Sequence, residues 1–121
     1  MRILLSILPD VLGPDLKIVF CGTAAGRKSA DLGYYYAGNG NKFWKTLFST
    51  GLTPRLLLPS EFRDLITWGI GLTDMVKDKS GMDSSLVRSD FKNNGLVEKI
   101  MKYSPKILCF NGKKAAKEFY G

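Results

Sequence analysis

The stretch Leu16-Lys17-Ile18-Val19-Phe20-Cys21, running into Gly22-Thr23-Ala24-Ala25-Gly26, decides the fold. The first six residues are apolar except for Lys17 and rich in β-formers. They predict a strand buried on both faces, as in the middle of a parallel sheet. The two glycines allow a tight turn and a close approach of backbone to a ligand. Beyond the turn, Arg27 to Asn41 is a basic loop carrying Tyr34-Tyr35-Tyr36, with one helical turn expected near Ser29 to Leu32. Asn41 is a candidate N-cap for a helix through about Thr50. Its residues Phe43, Trp44, Leu47 and Phe48 share one face, and Gly51 ends it. Phe43 and Trp44 read as core. A strand ending in a glycine turn and spilling into aromatics and cations is where an open α/β sheet places a ligand.

The rest of the chain supplies further strands and crossovers. Before the first strand, Pro9 to Leu12 is expected to make one helical turn, stopped by Gly13-Pro14. Pro54 to Pro59 is a connector, and Ser60 caps a short helix that buries Phe62, Leu65 and Ile66 and ends near Gly69. Ile70 to Val76 reads as a second strand, Lys77 to Asp83 as a loop, and Ser84 to Arg88 as a turn. Asp90 to Tyr103 reads as a helix with an apolar stripe at Leu96, Val97, Ile100 and Met101, weakened at Gly95 by roughly 1 kcal/mol relative to Ala. Pro105 stops it. Lys106 to Phe110 is a third strand, Asn111-Gly112 a turn, and Lys113 to Tyr120 a helix. Strands alternating with helices imply a parallel sheet with right-handed crossovers.

Composition narrows the chemistry. With 121 residues, 45% of them hydrophobic, the chain can bury a core as a single domain without disulfides. Cys21 and Cys109 lie in strand-like runs and read as buried thiols. The sequence has no histidine, which removes the commonest general base, every His-dependent triad and a Cys/His zinc site. The net charge of +7 favours an anionic partner. Met1 to Pro9 is short, broken by Ser6 and lacks a small-residue cleavage site. The expectation is a cytoplasmic, nucleoid-associated monomer without membrane contact.

In a parallel sheet the C-terminal strand ends share one edge. Gly22 to Gly26, Thr73 to Asp83 and Asn111 to Lys114 therefore converge, bringing glycine turns, Arg27, Lys28, Lys113, Lys114, tyrosines and the carboxylates Asp31, Asp74 and Asp83 together. Cations beside a helix start hold phosphate, and aromatics stack on bases. Each part alone has an ordinary reading as core or solvated surface, and convergence is what favours a site.

Phe20 to Gly26, Tyr35-Tyr36-Ala37 and Gly40-Asn41-Lys42-Phe43-Trp44 form an ordered series. It continues with Gly51-Leu52-Thr53-Pro54-Arg55, Gly71-Leu72-Thr73-Asp74, Ser80-Gly81-Met82-Asp83 and Asn111-Gly112-Lys113. In this order and spacing the chain resembles the mismatch-specific uracil/thymine DNA glycosylases of the uracil-DNA glycosylase superfamily. The resemblance implies a three-layer α/β/α sandwich around a central parallel sheet. It also implies double-stranded DNA bearing a mismatched or deaminated base as partner, and hydrolysis of the N-glycosidic bond of a flipped base with no metal or cofactor required.

Carried over by position, Gly22, Thr23, Ala24, Ala25, Gly26, Ser29 and Tyr36 would bind the base, with Tyr36 stacking on it. Arg27, Lys28, Gly112 and Lys113 would meet DNA phosphates. The segment from Asn41 to Trp44 would mainly anchor its helix. The third turn position, usually a water-positioning Asn in this family, is Ala24. Asp83 first, then Asp74 and Asp31, are the carboxylates expected to replace it, and Asp74 also lies where the family meets the base edge. The family's second motif, an Asn-Pro-Ser-Gly-like segment, is not found up to Gly121. Residues 1–121 are thus expected to form one domain lacking its last strand and helix, either a fragment or a shortened relative. Two functions follow: a repair glycosylase, or a catalytically weak or inactive α/β domain that binds DNA or a nucleotide through its basic edge.

Overall fold

The apolar run forms β1, Ile18–Gly22, in a computed structural model that describes residues 7–81 and 95–120. Successive side chains of β1 face opposite ways, so each face needs its own cover. Five further elements flank or join β1: α1 (Arg27–Leu32), α2 (Phe43–Ser49), a 3-10 segment (Pro59–Trp68), β2 (Ile70–Asp74) and α3 (Leu96–Tyr103). The chain ends with β3 (Ile107–Phe110) and α4 (Lys113–Tyr120). The strands are all parallel in the order β2-β1-β3, with Ile18 opposite both Ile70 and Ile107. One face, with Phe20, Ile70 and Leu72, packs on Trp44 and Leu47 of α2 and on Phe62 and Leu65 of the 3-10 segment. The other, with Cys21, meets Leu96 of α3 and Ala115 of α4. The expected α/β/α layering around a parallel sheet is therefore present.

Several elements differ from expectation. Residues Pro9 to Leu12 do not make a helical turn. Val11 and Leu72 exchange backbone hydrogen bonds of 2.9 Å in an antiparallel bridge, and the Ile7 N–H donates to the Lys77 carbonyl at 2.7 Å. The outer edge of β2 would otherwise leave backbone groups unpaired, and this segment pairs them. Gly71 makes the approach possible, because a Cβ there would stand 2.6 Å from the Val11 carbonyl oxygen and 2.8 Å from a Leu16 methyl. Gly71→Ala is expected to destabilise the fold by about 1–3 kcal/mol, read as a lower midpoint in chemical denaturation.

The regular part of β2 stops at Asp74, short of Val76, yet the chain stays alongside the glycine turn. Met75 and Val76 N–H groups donate to the carbonyls of Gly22 and Thr23 at 2.9 and 2.7 Å. Gly81 N–H reaches the Ala25 carbonyl at 2.9 Å. The helix begins at Phe43 with Lys42, not the expected Asn41, as its N-cap; Asn41 Oδ1 accepts the Phe43 N–H at 2.9 Å from one position further upstream. Gly95 precedes α3 with φ of 74° and does not weaken its interior. Of the expected apolar positions, Ile66, Phe48, Val97 and Met101 are exposed. The expected turn Ser84 to Arg88 and the start of the helix at Asp90 lie outside the described residues. No helix among the described residues is long and apolar enough to cross a membrane.

Candidate active site

The C-terminal strand ends meet as the parallel topology requires. Gly22 pairs with Asp74 in the β1–β2 register, and the Asn111 N–H, just past β3, donates to the Cys21 carbonyl at 2.8 Å. Asp74 and Asn111 thus flank Gly22 from the two neighbouring strands. Above this edge lie two cavities, of about 790 and about 360 Å3. Ala24, Tyr36, Asn41 and Asp74 line both and form the wall between them. Phe43, Phe110 and Asn111 border the larger cavity, while Arg27, Lys28 and Ser29 border the smaller.

Tyr36 is held firmly in an uncommon conformation. Its φ is 52°, in the left-handed region that bulky residues rarely adopt. Both flanking peptide groups are tied down. The Trp44 Nε1–H donates to the Tyr35 carbonyl at 3.1 Å, and the Ala37 N–H donates to Ser29 Oγ at 2.9 Å. The Tyr36 ring stacks on Phe43 at 4.0 Å between centroids, and Phe20 meets Phe43 edge-on at 5.3 Å. Such a backbone conformation costs of order 1–3 kcal/mol and persists only where its surroundings fix it. The Tyr36 hydroxyl is buried and has no hydrogen-bond partner among the described residues. Burial raises its pKa and Asp74 adds to the rise, while the Asn111 side chain opposes it. An unpaired buried hydroxyl costs roughly a further 1–3 kcal/mol.

Asp74 is the carboxyl at this wall, with a side chain almost fully buried. Burial raises its pKa to about 6, Asp10 adds to the rise, and Lys77 and Lys99 oppose it. A Cβ on Gly22 would sit 2.7 Å from Asp74 Oδ1 and 3.4 Å from the Tyr36 hydroxyl oxygen. Asp74 Oδ1 therefore fills the space that a side chain at position 22 would need, with the Tyr36 hydroxyl oxygen to one side of it.

Behind the wall is an ionic cluster centred on Asp10. The Lys77 and Lys99 ammonium groups lie 2.8 and 2.7 Å from its two oxygens, and Thr73 Oγ1–H donates to it at 2.7 Å. Lys77 also donates to the Tyr35 hydroxyl at 3.0 Å. Burial alone would raise the Asp10 carboxyl, but Lys77, Lys99 and Thr73 outweigh it and hold it below its ordinary value. The cluster pairs both lysines behind Asp74, leaving that carboxyl without a salt bridge among the described residues. Burial pushes the Cys21 thiol up to about 12, so it is no nucleophile near neutrality. Among the described residues no group of three His, Cys, Asp or Glu side chains is placed to hold a metal.

The model of the uracil DNA glycosylase superfamily matches residues 9–121. The chain belongs to that superfamily. Its fold is similar to the solution NMR structure of a candidate uracil DNA glycosylase from Methanosarcina acetivorans. The two are 25% identical with a TM-score of 0.64, over 93% of this chain and 73% of that one.

Within this superfamily domain, the structure gathers most of the residues singled out from the sequence. Gly22, Thr23, Ala24 and Tyr36 border the larger cavity, and Ala24, Ala25, Gly26, Ser29 and Tyr36 the smaller, with Asp74 on both. Ser29 is committed to the Ala37 N–H, so it acts first on the shape of the tyrosine loop. Arg27 and Lys28 are exposed at the rim of the smaller cavity. Gly112 and Lys113 are exposed and line neither cavity; Asn111 is the residue of that turn that does. Asp31 is exposed on α1, away from both cavities. Asp83 lies outside the described residues. Phe43, read from the sequence as core, is half-buried and doubles as cavity wall. Asn111 was legible as a strand-end residue, whereas Asp10 carried no local signal.

Proposed function

We propose that this domain is a DNA glycosylase that flips uracil, or a related deaminated or mispaired base, out of duplex DNA and hydrolyses its N-glycosidic bond. Superfamily membership supports glycosylase activity in general. The observation that carries the specific reading is the wall between the two cavities. A buried Asp74 with a pKa raised to about 6 stands beside a strained, stacked Tyr36 over the strand ends. A carboxyl with a pKa near the working pH is suited to accept a proton from water. Its charge also favours the cationic sugar that forms as the bond breaks.

In this mechanism the base leaves the stack and lies against the Tyr36–Phe43 aromatic wall, with Arg27 and Lys28 toward the phosphates. Asp74, ionised, holds water at the face of C1′. The C1′–N bond breaks with its electron pair going to the base. The water oxygen bonds to C1′, and its proton passes to Asp74. Single-turnover cleavage of duplexes carrying G·U, G·T or G·C pairs tests the reading. It requires excision from a mismatch and none from G·C.

The hydrocarbon side chain of Ala24 favours a second reading, a domain that binds DNA without cutting it. That reading requires duplex binding that weakens steeply with salt and no abasic product from any duplex.

A further inference from the structure

The reaction above needs Asp74 ionised yet free to take a proton, although the charges of Lys77 and Lys99 both act on it. Each lysine is mostly withdrawn from water, with 14% and 26% of its side chain exposed. An ammonium so placed needs an anion beside it. Asp10 supplies that anion to both, one oxygen to each, at 2.8 and 2.7 Å. Thr73 donates to the same carboxylate at 2.7 Å, and the Tyr35 hydroxyl accepts from Lys77 at 3.0 Å. Successive residues of a strand face opposite ways, so Thr73 reaches Asp10 while Asp74 turns to the cavities. The Val11–Leu72 bridge pins the segment that carries Asp10 to the edge of β2. One anion and two cations leave the cluster a net charge of +1. The other titratable groups around Asp74 are uncharged near neutrality, because burial raises the pKa of Tyr35, Tyr36 and Cys21. Asn111 from the β3 end carries no charge, and Arg27, Lys28 and Lys42 on the cavity rims are exposed and screened by water.

We propose that Asp10 is a positioning residue for the glycosylase reaction: by holding both ammonium groups it keeps Asp74 free of a direct ion pair and able to accept a proton from water. The proposal rests on the glycosylase reading. Asp10 borders neither of the two cavities, so it acts on the reaction only through the charge that Asp74 feels.

The test is the pH at which the acid limb of the single-turnover rate turns over, which should follow the net charge of the cluster. Asp10→Asn takes that charge from +1 to +2 and releases both lysines. The limb is expected to move down by roughly 1–2 pH units, the order by which a close opposite charge lowers a carboxyl. The plateau rate is expected to fall roughly 3- to 10-fold, because a weaker base accepts the proton less readily. Lys99→Met takes the charge from +1 to 0, and its limb is expected to move up by roughly half a unit to one unit. Asp10→Asn combined with Lys99→Met restores +1 and is expected to return the limb to within about half a unit of its original place. Lys99→Met keeps the Asp10–Lys77 pair, so it decides the question by itself where Asp10→Asn does not fold. A limb that stays in place in these variants, whatever the melting temperature does, marks a merely structural cluster and overturns the proposal while leaving the glycosylase reading intact. Absence of cleavage by the unaltered protein on every mismatch overturns the glycosylase reading and this proposal with it.

Discussion

Replacing Asp74 with Asn is expected to lower the single-turnover excision rate by roughly 10²- to 10⁴-fold, the range for loss of a positioned acid–base group. The amide fills the same space, so the aromatic wall and the turn stay in place. The pH profile of the unaltered protein checks the same assignment. In the proposed mechanism Asp74 works ionised, and burial raises its pKa to about 6. The rate should therefore climb about tenfold per pH unit below that value and level off above it. In Asp74→Asn that limb should vanish. Stability moves in the opposite direction. The folded-state pKa lies above the unfolded value of 3.8, so the native state holds the proton more tightly. Asp74 thus favours folding fully below pH 3.8, and that contribution is lost as pH rises through 6. A shift of this size corresponds to roughly 3 kcal/mol, which sets an upper limit on the gain from Asp74→Asn at neutral pH. An inactive variant that melts higher is the expected signature of a group kept for chemistry at the expense of stability.

Asp10→Ala is expected to destabilise the protein by roughly 3 kcal/mol, the lower end of the range for breaking a buried ion pair. Three partners converge on this carboxylate: Lys77, Lys99 and Thr73. Removing it leaves two lysines, each mostly withdrawn from water, without their anion. The lower end applies because Asp10 keeps 22% of its side chain exposed, which screens the charges. Its pH signature opposes that of Asp74. The Asp10 pKa is held below 3.8, so its contribution is present above that value and lost as pH falls through its folded pKa. Urea denaturation at pH 7 and pH 3 checks this. The gap between the unaltered protein and Asp10→Ala should be wide at the first pH and narrower at the second.

The strands were legible because their apolar runs exceed what a helix face or loop carries, and the parallel sheet then placed Gly22, Asp74 and Asn111 on one edge without further information. Residues Pro9 to Leu12 were misread. Proline and glycine mark where a segment stops, whereas its extended form is set by the free edge of β2, some 60 positions later. Asp10 was missed for the same reason, since its hydrogen bond from Thr73 spans 63 residues. Tyr36 was legible as an aromatic but not as a hydroxyl. Its left-handed backbone depends on Trp44 and Ser29, and only tertiary structure brings both to the peptides on either side of it. Asp74 was identified by its place at a strand end. The height of its pKa follows from burial that no local pattern records.

The backbone hydrogen bonds between the Gly22–Gly26 turn and the segment from Met75 to Gly81 bear on how this domain can be re-engineered. The turn and the segment beyond the carboxyl-bearing strand end are spliced together by main-chain atoms at three places, Gly22 with Met75, Thr23 with Val76 and Ala25 with Gly81. Transplanting a superfamily turn alone, such as one with Asn in place of Ala24, would import a side chain tuned to a different companion strand. A productive chimera must exchange both segments as one cassette, and sequence drift in either should be constrained by its mate.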